Sequence, residues 1–89
     1  MSEIKLEINN EVGLHARPAA LFVQTASKFK STITVKNGDT SANAKSILHI
    51  LTLGAEKGTI ITVIAVGEDS EQALKALTEL NANNFGEDG

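Results

Sequence analysis

The sequence predicts an α+β domain with helices covering one face of a mostly antiparallel four-stranded sheet, in the order β-α-β-β-α-β-α. Three observations carry this reading. Several short segments alternate apolar and polar residues with the period of a half-buried strand. Longer segments repeat apolar residues at the spacing of an amphipathic helix. An Asn37-Gly38 pair lies between two extended segments, a strong hairpin signal. No repeat or linker interrupts the 89 residues, so residues 1–89 are expected to form one domain.

The elements follow in order. Ile4, Leu6 and Ile8 alternate with Lys5, Glu7 and Asn9, which predicts a strand ended by Asn10, Glu11 and Gly13. Ala19, Phe22, Val23, Ala26 and Phe29 form a helical stripe. That helix should begin near Ala16, because Pro18 is tolerated only in a first turn. Thr32-Ile33-Thr34-Val35 is β-branched and alternating, and Thr40 to Ala44 is the return strand of the hairpin. Ser46 stands at an N-cap before the short helix Ile47–Leu51. Residues 59–66 are the longest β-branched run, with Ile61, Val63 and Ala65 expected to face the core and Ile60 and Ile64 the other side. Asp69 and Gln72 have capping-box spacing before a last helix whose buried stripe is Ala73, Leu74, Leu77 and Leu80. Residues 81–89 read as a polar, Gly-containing tail that frays.

Composition excludes several functions. The chain has no Cys, so disulfides and thiolate chemistry are absent. Its two His have no neighbouring carboxylates spaced to complete a metal site, and no metal or other cofactor is expected. A formal charge of −3 with three Phe and neither Trp nor Tyr argues against a nucleic-acid partner. No apolar run approaches the ~20 residues of a membrane span. The mixed start Met1-Ser2-Glu3-Ile4-Lys5 is unlike a secretory signal, so a cytoplasmic location without membrane insertion is expected.

The chemistry concentrates in Gly13-Leu14-His15-Ala16-Arg17-Pro18-Ala19. His15 falls where a loop meets a helix start. The first helical N–H groups have no partner there and the helix dipole is positive, so an anion on the ring would meet ready donors. Arg17 adds a fixed charge with several donors suited to phosphate oxygens. Ala16 and Pro18 shape the helix start, Ala16 by leaving room and Pro18 by fixing the backbone. An unprotonated imidazole is a nucleophile that takes a phosphoryl group as a labile phosphoramidate. Ser46 has two compatible roles: an N-cap, and a phosphorylation site whose product would place roughly −2 charge beside Ile47, Leu48 and Leu51. His49 reads as a surface or interface histidine with no visible partner.

The run from Gly13 to Ala19 resembles the active-site signature of the histidine-containing phosphocarrier (HPr) family of the bacterial sugar phosphotransferase system. Asn43-Ala44-Lys45-Ser46-Ile47, followed by Leu53-Gly54 and Lys57-Gly58, resembles that family's regulatory-serine region. The resemblance spans about residues 2–85 and implies an open-faced β-sandwich with three helices on a four-stranded antiparallel sheet. It implies a carrier rather than an enzyme, with phosphohistidine formed at Nδ1 of His15 and Arg17 contacting the phosphoryl group. The implied donor is the phosphoenolpyruvate-dependent first enzyme of the system, and the implied acceptors are sugar-specific domains. Ser46 would be the target of an ATP-dependent kinase/phosphorylase, and its modified form would associate with a transcriptional regulator. Ile47, Leu48 and Leu51, together with Ala20 and Thr52, would form the apolar docking patch. Gram-positive members commonly carry Met at Leu48 and Gly at His49. The alternative is a nitrogen-system or regulatory paralogue that acts mainly as a signalling or binding module; the regulatory relative lacks the active histidine, which this chain has.

Overall fold

The computed structural model describes residues 2–86. The strands are β1 (Ser2–Glu7), β2 (Thr32–Asn37), β3 (Thr40–Asn43) and β4 (Ile60–Val66), and the helices are α1 (Ala16–Ala26), α2 (Ile47–Leu51) and α3 (Ser70–Ala82). They form one antiparallel sheet in the order β1-β4-β2-β3. The Asn37-Gly38 turn joins β2 to β3 as expected, with Asn37 opposite Thr40. Periodicity did not give the strand order. The first strand pairs with the last, Ile4 opposite Val63 and Leu6 opposite Ile61.

Alternation along each strand divides the sheet into two faces. Leu6, Ile33, Val35, Ala42, Ile61, Val63 and Ala65 are buried beneath the helices. Phe22, Ala26, Ile50, Ala73 and Leu77 close on them from α1, α2 and α3. The opposite face is open, with Ile60 and Val66 exposed and Ile64 half-buried. The expected facing of β4 is therefore the observed one, and Ile60 lies on a central strand rather than at a sheet edge. The helical stripe stops at Ala26, and Phe29 packs half-buried in the turn that follows.

Two local expectations are corrected. The Asp69 carboxylate makes no capping bond to α3. It instead accepts the Lys30 N–H at 2.8 Å, the Ser31 N–H at 2.9 Å and the Ser31 hydroxyl at 2.5 Å. Three well-placed donors outcompete a local cap, and they tie the start of α3 to the turn before β2. These bonds, the Ser31 hydroxyl foremost, hold the Asp69 carboxyl down to about 2 from an ordinary 3.8. A depressed carboxyl stabilises the fold above its unfolded value and loses that contribution as pH falls through its folded value. Melting temperature is therefore expected to drop between about pH 4 and pH 2, and Asp69→Asn should flatten that part of the profile. An unchanged slope in the variant would remove Asp69 from the account.

The second correction concerns the tail expected to fray from residue 81. Asn81 and Ala82 continue α3, and Asn81 is buried with its Nδ2 donating to the Glu7 carbonyl at 3.0 Å. Asn84–Gly86 form a tight turn that drives Phe85 fully into the core, 6.4 Å from the Phe22 ring. Asn84 and Phe85 both adopt left-handed backbone, φ 52° and 54°. For L residues this costs roughly 1–2 kcal/mol each, which burial of a whole aromatic ring offsets. The rest of the expected tail, residues 87–89, lies outside the described residues.

Candidate functional site

The loop between β1 and α1 is fastened before it reaches His15. Ile8 donates its N–H to Thr59 O at 2.8 Å and accepts the Gly58 N–H at 2.7 Å. Asn10 closes a turn on Gly13, its Nδ2 donating to Gly13 O at 2.9 Å while the Gly13 N–H reaches Asn10 O at 3.2 Å. The Leu14 N–H then donates to Ala55 O at 2.9 Å, with the Leu14 side chain buried. Gly13 sits at φ +68°, and a β-carbon there would run into the Ala55 carbonyl oxygen and approach Glu56 Cα at 2.7 Å. Glycine is thus required for both its backbone angle and the close approach.

His15 is the N-cap of α1, extended at φ −123° and ψ 159°, and exposed. Its carbonyl accepts the first helical bond, from Ala19 N–H at 3.4 Å. Its ring makes no capping bond, so the ring nitrogens are not engaged by the helix it heads. Ala16 takes φ +44°, which places a non-glycine residue in the left-handed region directly after the histidine. That conformation costs roughly 1–2 kcal/mol and persists because both flanks are fixed. Leu14 anchors one side, and Pro18 and Ala19, both buried, anchor the other. The Ala16 and Arg17 N–H groups begin the helix without a carbonyl one turn back, and Pro18 has no N–H to satisfy. No acidic residue occupies this first turn. Arg17 is exposed, and among the described residues the ion pair observed is Lys57 with Glu11 at 2.7 Å, so no carboxylate neutralises Arg17. The arrangement is an exposed histidine at a helix start with an exposed arginine two residues on, a set of groups suited to carrying a phosphoryl group.

The second region lies on α2. Ser46 is its N-cap, and the hydroxyl accepts the His49 N–H at 3.4 Å, as the capping reading expects. Ile47, Leu48 and Leu51 are 41%, 72% and 38% exposed, so this short helix turns most of its apolar residues outward. Ile50 alone of α2 is buried. Helix α1 packs beside α2, with Ala20 half-buried, and Thr52 is exposed at the C-cap. The sequence-expected docking residues therefore surround an outward apolar patch. His49 departs from expectation, because its Nδ1 accepts the Asn43 N–H at 3.4 Å. That bond leaves the neutral ring's proton on Nε2. Sequence reading also missed Ala55, whose carbonyl holds the histidine loop, and Val12, 48% exposed in that loop. Gly54 and Gly58, which bracket the segment holding Ala55, were the available signal for the supporting loop.

Among the described residues no group of three His, Cys, Asp or Glu could hold a metal ion, and no helix is long and apolar enough to cross a membrane.

A one-faced sandwich that offers an exposed histidine at a helix start has the build expected of a small carrier domain. Comparison with known proteins makes the class specific. Residues 2–83 match the family model PTS-HPr, described as "PTS HPr component phosphorylation site". The chain is 47% identical over 88 residues to the phosphocarrier protein HPr of Xylella fastidiosa, covering 99% of each. It is 44% identical to the HPr-like protein Crh of Bacillus subtilis over 86% of this chain and 91% of that one. A crystal structure of HPr from Thermoanaerobacter tengcongensis superposes with a TM-score of 0.97 at 52% identity, over the whole of both chains. The chain belongs to the HPr family, the phosphocarriers of the phosphotransferase system.

Proposed function

We propose that His15 is the residue that carries the phosphoryl group. The observation that supports this most directly is an exposed N-cap histidine whose ring makes no capping bond, placed over a helix start that lacks acidic residues. In this reading the Nδ1 lone pair of His15 attacks phosphorus on the phosphorylated first enzyme of the system. The new N–P bond forms as the donor's bond breaks. The Ala16 and Arg17 amides and the Arg17 guanidinium bind the phosphoryl oxygens, and Ala16 and Pro18 keep the helix start open to them. A sugar-specific acceptor domain then attacks the same phosphorus and regenerates His15. Partners dock on Ala20, Ile47, Leu48, Leu51 and Thr52, a patch that borders the helix bearing the histidine. The chain also matches 22% of the length of a multiphosphoryl transfer protein from Salmonella typhimurium, which supports partners that relay phosphoryl groups. The charge balance and the absence of a spanning helix among the described residues fit a cytoplasmic carrier. Mixing with phosphoenolpyruvate and the first enzyme should add one acid-labile phosphate, located at His15 Nδ1 by nuclear magnetic resonance. Protein left unmodified by an active first enzyme would end this reading.

Ser46 is the regulatory site in the same proposal, as the substrate of a kinase/phosphorylase, with a transcriptional regulator as partner of the modified form. A phosphate there sits beside Ile47 and Leu48 without opposing the fold, because it replaces a cap at a helix start. Ser46→Asp is expected to slow phosphoryl transfer to His15 at least severalfold by placing charge at the patch. Equal transfer rates would leave Ser46 with its cap alone. The presence of His15 favours the carrier reading over a paralogue acting only in signalling.

A further inference from the structure

The Ala55 carbonyl that fastens Leu14 is itself held through a residue with no role so far. Two positions earlier, the Leu53 carbonyl accepts Asn37 Nδ2 at 2.8 Å. Asn37 is the last residue of β2, half-buried and opposite Thr40 across the hairpin turn. Leu53 also finishes the α2 segment, its N–H reaching Ile50 O at 3.2 Å. Between Leu53 and Ala55 stands Gly54, exposed, at φ +64°, with open space where a β-carbon would lie. Packing does not fix this glycine, and its backbone is the freest in the segment. The fixed points lie on either side: Leu53 and Ala55, both buried. The carbonyl that Asn37 holds belongs to the peptide joining Leu53 to Gly54, so this one bond orients the peptide entering the glycine. Residues 53–55 are thus a strap with α2 at one end and the histidine loop at the other.

We propose that Asn37 is a positioning residue for phosphoryl transfer. It fixes the Leu53–Gly54 peptide and thereby sets the histidine loop in place relative to the α2 patch. The inference rests on the carrier reading of His15. Asn37 takes no part in the chemistry and acts only through the strap. Direct packing of α1 on α2 places the helices, but the loop ahead of α1 takes its position from Ala55. A partner seated on α2 meets His15 at a separation set partly by this strap. Group transfer is steep in that separation, and a misplacement of about 1 Å can cost on the order of 100-fold in rate. The side chain suits the task, because a carbonyl needs a donor and the amide Nδ2 supplies one. Aspartate at this position would set acceptor against acceptor, and alanine would leave the carbonyl to water.

The test uses the full chain with Asn37→Asp, which is isosteric, and Asn37→Ala, which adds no charge. In the unphosphorylated proteins the Leu14 amide signal should shift in both variants, with Leu14 hydrogen exchange about tenfold faster. Transfer from the phosphorylated first enzyme should fall about fivefold in kcat for Asn37→Ala and about tenfold for Asn37→Asp, with KM within about twofold of wild type. Thr40→Ala, across the same turn, should change neither readout. A Leu14 amide unmoved in both variants would overturn the proposal. So would an effect confined to the charged variant, an equal effect of Thr40→Ala, an unchanged kcat, or a loss carried by KM alone. Wild-type protein that takes no phosphate would end the carrier reading instead, and the Leu14 amide would still decide whether Asn37 holds the histidine loop.

Discussion

His15→Ala is expected to abolish phosphoryl acceptance while leaving the fold at nearly its original stability. The first half follows from chemistry. His49, the other imidazole, lies on α2, has Nδ1 committed to Asn43, and lacks the amide-rich start of a long helix beside it. It cannot substitute, and His49→Ala should still accept phosphate. The second half follows from the site's construction. The His15 ring is exposed and caps nothing, so its removal breaks no side-chain bond of the cap. Exposed substitutions of this kind shift stability by about 0.5 kcal/mol or less. Acid-labile phosphate incorporation and a denaturant melt of the same sample measure both halves. Residual stoichiometric labelling of the variant would move the carrier role elsewhere.

Phe85→Ala should do the opposite and cost stability far more than chemistry. Phe85 is fully buried, and its ring stacks at a tilt against Phe22 of α1. Removing such a side chain usually costs about 3–5 kcal/mol through lost burial and the cavity left behind. The left-handed backbone at Asn84 and Phe85 is retained only while the ring is seated, so the turn releases with it. Its relaxation recovers some energy, which places the expected loss near the lower end, about 3 kcal/mol. For a chain of this length that corresponds to a fall of about 12–20 °C in melting temperature. Folded variant protein should still accept phosphate on His15, because α1's start is fixed from Leu14 and Pro18 rather than from the C-terminal turn. A change below about 1 kcal/mol would mean that the ring contributes less than ordinary core burial.

These residues also mark what could be read from the chain. Alternation in β1, β2 and β4 was legible because one sheet face is buried and the other open. Ser46 was legible because its role is local: a hydroxyl at one position and an N–H three residues on. His15 was legible because Pro18 fixes where its helix can begin. Asp69 was misread because its decisive partners, Lys30 and Ser31, lie far away in sequence. Phe85 was overlooked because a lone aromatic among Asn and Gly residues has no periodicity; only the space beside Phe22 gives it meaning. The backbone of Ala16 was hidden for another reason. Its residue type gives no warning of positive φ, which arises from the anchors on either side.

The pairing of β1 with β4 sets a timetable. The histidine loop hangs from Ile8, and Ile8 is held by Thr59 and Gly58 just before β4. During synthesis the histidine segment is made early, but the residues that fasten it, from Ala55 to Thr59, emerge only about 40 residues later. Contacts so distant in sequence cost more loop-closure entropy than local ones. A nascent or prematurely terminated chain that ends before residue 55 therefore carries the histidine without the Ala55 and Thr59 carbonyls that shape its loop. Under the proposed carrier role, competence to carry phosphate reports that translation has passed Thr59, and incomplete chains should not drain phosphoryl groups from their donor.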